Sequence, residues 1–255
     1  MEGAPGAWAA SASASAHVFV DGLLEAVALE GPEAHHLARV LRLRAGEVVT
    51  AADDGAWRPY RVAAVSGTQV RLEAAGPAAR EPLLRPALAV AFSLTKGDKP
   101  ELVVQKLTEL GVDRILPVLS ERSVVRPDRG RAPADLSRWR RVALEAARQC
   151  RRSRLPEVAD LAPIDTLAAH PGIVIAEWGA PPAGDLGPPP GDELLAVVGP
   201  EGGFAPGETD ALRPWARVGL GPHVLRAETA AVAVAVALGV HRSVSQGGQP
   251  PSSLE

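Results

Sequence analysis

A single cysteine, Cys150, is all the thiol chemistry available to this chain of 255 residues. That excludes an internal disulfide and any cysteine-cluster metal site, and a reducing cytoplasm is the simplest setting. Histidine is scarce as well. There are six, with one adjacent pair at His35-His36, and no H-E-x-x-H zinc motif. No uninterrupted apolar run reaches the roughly 18 residues of a membrane-spanning helix, so no transmembrane helix, no membrane partner and no metal are expected. Residues 1–16 are rich in Ala and Ser and have neither a basic n-region nor a long apolar core. They read as a disordered tail rather than a signal peptide, and residues 243–255 as a second tail. No Gly-Lys-Ser/Thr follows the glycine clusters, which excludes a Walker phosphate loop, and no G-x-G-x-x-G follows a strand. A general positive charge is also missing: the net charge is −3 and the pI about 6.1.

What is present is an ordinary globular composition, 46% hydrophobic and 22% charged, in a length that suits one large domain or two smaller ones. The charge is unevenly spread. From Ser120 to Arg154 there are eleven Arg against four acids. A local excess of this kind is the footprint expected of a phosphate-binding face. Arg rather than Lys is used, and its planar fork suits phosphate.

Taken in order, Val18–Val20 and Val27–Leu29 read as short strands. Gly31-Pro32-Glu33 opens a helix over residues 34–41. Val48–Ala51 is a strand, and Trp57–Val65 with Gln69–Ala74 makes a hairpin. Short strands at this spacing predict a small β barrel. Residues 76–87 are Pro-rich and read as a linker. From Leu88 onward, strands (88–94, 114–119, 173–177, 194–198, 216–220) alternate with helices (101–110, 135–151, 165–169, 227–240). That alternation predicts an α/β domain with a mostly parallel sheet. Asp135 or Ser137 is the expected cap of the third long pattern, and Glu145, Gln149 and Arg152 fall at i, i+4 and i+7, so one helix face is expected to carry all three.

The chemistry concentrates near the C-terminal end. An apolar run, 194–198, stops at Gly199-Pro200-Glu201-Gly202-Gly203, and a second, 216–220, stops at Gly221-Pro222. Gly removes the side chain and lets a ligand lie against bare backbone. Ligands of open α/β sheets collect at the carboxyl ends of strands.

These residues resemble a known family. G-P-E-G-G-F from Gly199, followed by L-G-P-H-V-L-R-A-E-T-A from Leu220, is similar to the C-terminal signature of the 16S ribosomal RNA uridine-N3 methyltransferases, whose family name specifies uracil 1498. They belong to the SPOUT class of S-adenosylmethionine-dependent enzymes. H-H-L-A-R-V-L-R-L-R-A-G-E from His35 resembles their N-terminal module. K-G-D-K-P-E from Lys96 and E-A-A-R-Q-C-R-R from Glu145 match central motifs. The resemblance spans about residues 17–242 in five blocks in the same order. It departs at His17 and His223, where the family usually or often carries Arg.

The resemblance implies a PUA-like RNA-binding β barrel (17–75), a linker (76–87) and a SPOUT domain (88–242). The SPOUT domain is a trefoil-knotted, mostly parallel sheet with helices on both faces. It implies S-adenosylmethionine as cofactor, S-adenosylhomocysteine as product and a homodimer. The partner is 16S rRNA in the 30S subunit, met in the cytoplasm. The cofactor residues would be Glu177, Val198, Gly199, Pro200, Glu201, Gly202, Gly203, Leu220, Gly221, Val224, Leu225 and Arg226. Arg226, Glu201 and Glu228 are the catalytic candidates. Arg39, Arg42, Arg44, Lys96, Arg122, Arg126, Gln149 and Arg152 are the RNA candidates. Two alternatives stay open from the residues alone: a ribosome-associated RNA-binding protein without catalysis, or the same chemistry on a tRNA or 23S site.

Overall fold

The computed structural model of the protein describes residues 14–66, 69–125 and 132–245. They fall into two compact units. One comprises the residues up to Pro82 together with Ala147–Leu155, the other Leu83–Ala146 and the residues from Pro156 onward.

The first unit is a curled sheet built from β1 (Ala16–Phe19), β2 (Ala26–Glu30), β3 (Val48–Asp53), β4 (Ala56–Ser66), β5 (Gln69–Ala74) and β6 (Ala79–Arg80). Its path is β1-β3-β4-β5-β2, with β6 paired to β4. The long strand β4 makes the curl possible: its register with β5 slips between Val62 and Ala64, and a bulge bends a strand and sharpens its twist. Period-two patterning puts Tyr60 and Val62 in the core with Val18, Leu37, Val49, Val70 and Leu72. The Tyr60 hydroxyl, carried inward with its ring, donates to the Leu24 carbonyl at 2.8 Å. Between β2 and β3 lie α1 (Gly31–His35) and a π-helical turn, His36–Val40, where one continuous helix was expected.

The expected tail and linker boundaries move. Ser15 N–H donates to Val48 O at 2.7 Å, and β1 begins at Ala16, so order starts before His17. Residues 1–13 lie outside the described residues. The Pro-rich stretch 76–87 contains β6, because the Glu81 N–H and carboxylate have partners, Gly55 O at 2.8 Å and Ser153 N–H at 3.2 Å.

His17 is buried in this unit. Its Nδ1 lies 2.7 Å from Thr50 Oγ1 and its Nε2 lies 2.9 Å from the Arg152 carbonyl. A neutral ring satisfies both, with Nε2–H donating and Nδ1 accepting. Burial strips an imidazolium of water and pushes the pKa from 6.5 down to about 4; the Arg152 carbonyl and Glu81 oppose this, and Arg151 and Arg148 add to it. The folded pKa lies below the unfolded one, so the unfolded chain takes the proton first. The contribution of neutral His17 is complete above about pH 6.5 and is lost progressively towards pH 4, by up to about 3 kcal/mol. Denaturant midpoints of wild type and His17→Gln at pH 7.5, 5.5 and 4.5 are expected to show the steeper acid loss in wild type. Parallel curves would contradict it.

The second unit is an all-parallel sheet. Its strands are β7 (Ala87–Ser93), β8 (Arg114–Leu119), β9 (Glu157–Val158), β10 (Ala162–Pro163), β11 (Ile173–Ala176), β12 (Glu193–Val198) and β13 (Ala216–Val218). The order is β10-β8-β7-β12-β11-β13, with β9 beside β8. Continuous apolar runs make sense here because both faces are covered. Leu88, Val90 and Phe92 face one core with Val103 and Leu107 of α2 (Lys99–Glu109) and Ala231, Val234 and Leu238 of α5 (Ala227–Ser245). Ala89 and Ala91 face the other with Ile164, Ile173, Ile175 and Leu212. Two further helices are α3 (Ala132–Cys150) and α4 (Glu208–Ala211).

The boundaries of two helices differ from expectation. By length and composition α5 is apolar enough to cross a membrane over Ala227–Val244, at a mean hydropathy of 1.2. Its apolar character has a core duty, since Ala231, Val234, Ala235 and Leu238 are fully buried. It also runs to Ser245, so residues 243–245 are helical, and residues 246–255 lie outside the described residues. The helix α3 starts before Asp135, and Ser137 bonds back to Pro133 O at 2.9 Å instead of capping. It ends at Cys150 because Arg151 takes φ 58°. Arg152 is therefore past the helix, and the expected shared face keeps only Glu145 and Gln149.

Candidate functional site

The neighbouring strands β12, β11 and β13 run parallel, so their carboxyl ends release three loops side by side. These loops and the start of α5 enclose a cleft of about 200 Å³, open to solvent. Its walls are Ala176, Glu177 and Trp178 from the first loop, Val198–Glu201, Gly203 and Phe204 from the second, Leu220, Gly221 and His223–Leu225 from the third, and Ala227 and Ala230 from α5.

Ten of the twelve expected cofactor residues line this cleft: Glu177, Val198, Gly199, Pro200, Glu201, Gly203, Leu220, Gly221, Val224 and Leu225. Gly202 and Arg226 do not. Ala176, Trp178, Phe204, Ala227 and Ala230 were not anticipated. Their side chains are mostly small or apolar, and no spacing rule marks them.

Close approach explains the glycines. A Cβ on Gly199 would sit 2.9 Å from the Phe204 ring, and one on Gly219 would sit 2.2 Å from the Ala180 carbonyl oxygen. Gly219 N–H also donates to Pro181 O at 2.7 Å, so the first and third loops are packed backbone to backbone. The Trp178 indole N–H adds a bond to Pro222 O at 3.1 Å. Glu177, at the cleft edge, pairs with Arg217 at 3.0 Å. The second loop is pinned from outside: the Glu208 carboxylate accepts from Ala205 N–H at 3.0 Å and Glu121 N–H at 2.8 Å.

The three catalytic candidates separate. Glu201 and Glu228 both face Lys99, at 3.1 and 3.5 Å. Lys99 is the first residue of α2 and joins the glycine loop to the first turn of α5; the sequence had drawn attention to Lys96 instead. Partial burial pushes the Glu201 carboxyl up, but its own backbone N–H, the Lys99 hydrogen bond and the charges of Lys99 and Lys96 outweigh this and hold it below the usual carboxylate range. Lys99 is raised in turn, first by its hydrogen bond to Glu201. Arg226 is different. It is exposed, and its guanidinium has no partner among the described residues.

The RNA candidates divide in the same way. Lys96 is exposed and unpaired among the described residues. Arg122 is exposed and donates to Gly202 O at 3.3 Å, beside the cleft loop. Arg126 lies outside the described residues. Gln149 is exposed and Arg152 half-buried. Arg39, Arg42 and Arg44 are exposed in the first unit. Much of the Arg-rich stretch has internal duties: Arg138 pairs with Glu101 (3.0 Å) and Asp135, Arg140 with Val158 O and Asp160, Arg148 with Glu33, and Arg151 holds Ala14 O at 2.6 Å. No cluster of His, Cys, Asp and Glu suited to a metal occurs among the described residues.

Residues 83–239 match the model of an RNA methyltransferase domain, and residues 29–74 that of an RNA methyltransferase PUA domain. A parallel sheet with a glycine-walled cleft, in a chain that matches both, defines an RNA methyltransferase. The ribosomal RNA small subunit methyltransferase E of Bacillus subtilis is 31% identical over 236 residues, covering 87% of this chain and 92% of its own. That of Mycobacterium bovis is 35% identical over 227 residues, covering 83% and 85%. The crystal structure of the Neisseria gonorrhoeae ribosomal RNA small subunit methyltransferase E bound to S-adenosyl methionine superposes with a TM-score of 0.79 at 28% identity, covering 89% of this chain and 97% of that one. The chain belongs to the ribosomal RNA small subunit methyltransferase E family.

Proposed function

We propose that this protein transfers a methyl group from S-adenosylmethionine to N3 of uridine 1498 of 16S ribosomal RNA in the assembled 30S subunit, in the cytoplasm. The observation that carries the reading is the cleft itself: three adjacent loops at the carboxyl ends of parallel strands, walled by bare glycine backbone, in a chain of this family. The cleft fits the cofactor in kind. Apolar walls (Val198, Leu220, Leu225) suit a flat base, and the backbone laid open at Gly199, Gly203 and Gly221 suits its polar edge. S-adenosylmethionine supplies an electrophilic methyl group on a positive sulfur. In the full reading the strands ending at Glu177, Gly199 and Leu220, with the helix from Ala227, make the family's trefoil knot.

The work left to this chain is electrostatic. Uracil N3–H is a poor nucleophile, and negative charge grows on O2 and O4 as the proton leaves to solvent water. An unpaired guanidinium beside the cleft is suited to that charge, and Arg226 is the one we assign. Glu201 is a poor base for the step, since its proton affinity is lowered and its carboxylate is committed to Lys99. Glu201 and Glu228 are assigned to holding the glycine loop against α5. Lys96, Arg122 and Arg126 are assigned to RNA phosphates, with the base unstacked for access.

A homodimer is part of the proposal. Val236, Val240 and Val244 are all exposed and repeat every four residues on α5, which makes an apolar stripe on one helix face. Val240→Asp is expected to shift the protein from dimer to monomer in light scattering at micromolar concentration. An unchanged mass would place the interface elsewhere.

The reaction is tested with purified protein, labelled S-adenosylmethionine and four acceptors: 30S subunits, free 16S rRNA, 23S rRNA and tRNA. Label recovered as 3-methyluridine from 30S alone is the expected result. Label in tRNA or 23S rRNA would change the target, and binding without transfer would leave an RNA-binding protein.

A further inference from the structure

Among the described Phe, Tyr and Trp residues, Trp178 alone is exposed, at 67%. Tyr60, Phe92 and Trp139 are buried. Exposure by itself assigns nothing, since single apolar side chains are common on protein surfaces. Leu83 and Leu84 are comparably exposed but do not line the cleft. Trp178 does, and of the large exposed apolar side chains only Val224, at 80%, shares that position. The ring is also fixed. Its indole N–H donates to Pro222 O at 3.1 Å. The residue before it is tied to the sheet, with Glu177 N–H donating to Val218 O at 2.9 Å. Gly179 follows at φ 81° and closes the turn that carries the ring. With its polar edge satisfied by Pro222, the indole has only its flat faces left to offer. A side chain held in place before its ligand arrives loses little rotamer freedom on binding.

We propose that Trp178 is a substrate-positioning residue, a platform on which the target uracil stacks once it has left the RNA. The inference deepens the methyltransferase reading, on which it rests, by naming the group that holds the base. The depth of the apolar walls decides the occupant. Val198 is buried and Leu220 and Leu225 are half-buried, so the inner cleft already offers an apolar slot to the base of the cofactor. Trp178 and Val224 stay uncovered at the rim, where a group arriving from solvent meets them. A base taken out of RNA loses its stacking neighbours, and an aromatic ring replaces one of them. Stacking uses the face of uracil and leaves free the edge that carries O2, N3 and O4. Arg226, which follows the third loop, serves that edge without competing for the same surface. An indole face also attracts cations, so the sulfonium of S-adenosylmethionine is the rival occupant.

The test uses the full chain saturated with S-adenosylhomocysteine. Fluorescence anisotropy compares two labelled single strands, a short oligouridine and the same backbone with abasic sugars. Wild type is expected to bind the oligouridine about tenfold more tightly, the scale of one stacked base. Trp178→Ala should lose most of that preference, and Trp178→Phe should keep most of it. The Phe variant has an aromatic face but no N–H for Pro222 O, so a ring that merely pinned the loops would fail in Phe as it does in Ala. Calorimetry should give unchanged S-adenosylmethionine affinity in both variants. Because Trp178 is exposed, their thermal melts should match wild type. Equal binding of the two strands by wild type, an undiminished preference in Trp178→Ala, or a Phe variant no better than Ala would overturn the proposal. Weakened S-adenosylmethionine binding by Trp178→Ala would overturn it too and give the ring to the cofactor. Methyl transfer by wild type to 30S subunits is measured on the same preparation. Its absence alongside the expected binding changes would count against the enzyme reading and leave the base platform standing.

Discussion

Arg226→Ala is expected to lower kcat by a factor of 10² to 10³, the usual loss when one preorganised donor to a developing oxyanion is removed. Arg226 sits between the third cleft loop and α5, is exposed, and does not line the cleft. Its loss leaves no buried partner behind, so the fold should be intact within about 0.5 kcal/mol. Cofactor affinity should change little for the same reason. The signature is a fall in kcat with an unchanged dissociation constant for S-adenosylmethionine, read by single-turnover kinetics and calorimetry. Arg226→Lys should recover part of the rate, because the charge is kept and the fork is not. A variant with wild-type kcat would remove Arg226 from the chemistry.

Gly219→Ala is the second large effect, and it strikes binding instead of rate. The new methyl would meet a backbone carbonyl, Ala180 O, at 2.2 Å. A backbone oxygen cannot swing aside as a side chain does, so the first and third loops must part. The Gly219–Pro181 and Trp178–Pro222 hydrogen bonds join the same two loops. A stability loss of about 1–3 kcal/mol is expected from the overpacking, together with a loss of cofactor affinity of at least tenfold by calorimetry. Gly187→Ala is the control, since a Cβ there meets nothing within 4 Å. If Gly219→Ala bound cofactor as wild type does, the cleft would not depend on this contact.

The parts of the site that were legible in the sequence were backbone features. Val198–Gly203 and Leu220–Leu225 were legible because two apolar runs each stop at glycine and proline and together they match the family's C-terminal signature. The parallel sheet was legible for a related reason, since a strand such as Leu88–Phe92 is apolar at every position only when both faces are covered. Side-chain partnerships were not legible. Lys96 and Lys99 look alike in K-G-D-K-P, and only the helix start at Lys99 turns it towards Glu201 and Glu228. The Arg-rich stretch counted as a charge excess, yet Arg138, Arg140, Arg148 and Arg151 are held by Glu101, Val158 O, Glu33 and Ala14 O. A charge count cannot distinguish a guanidinium kept for a ligand from one used by the fold. His17, where the family usually carries Arg, is buried and held by Thr50 and Arg152 O, a role that depends on a chain segment more than a hundred residues away. The π-turn at His36–Val40 was read as plain helix because its residues have helical periodicity and nothing in them marks the extra residue.

The central claim is a single product on a single RNA. It is met most directly by nucleoside mass spectrometry of 16S rRNA from a strain lacking this protein, complemented with wild type or with Arg226→Ala. The account predicts loss of 3-methyluridine in the deletion strain, full return with wild type and no more than partial return with the variant. 3-Methyluridine that persists in the deletion strain, with no second enzyme to supply it, would contradict the assignment.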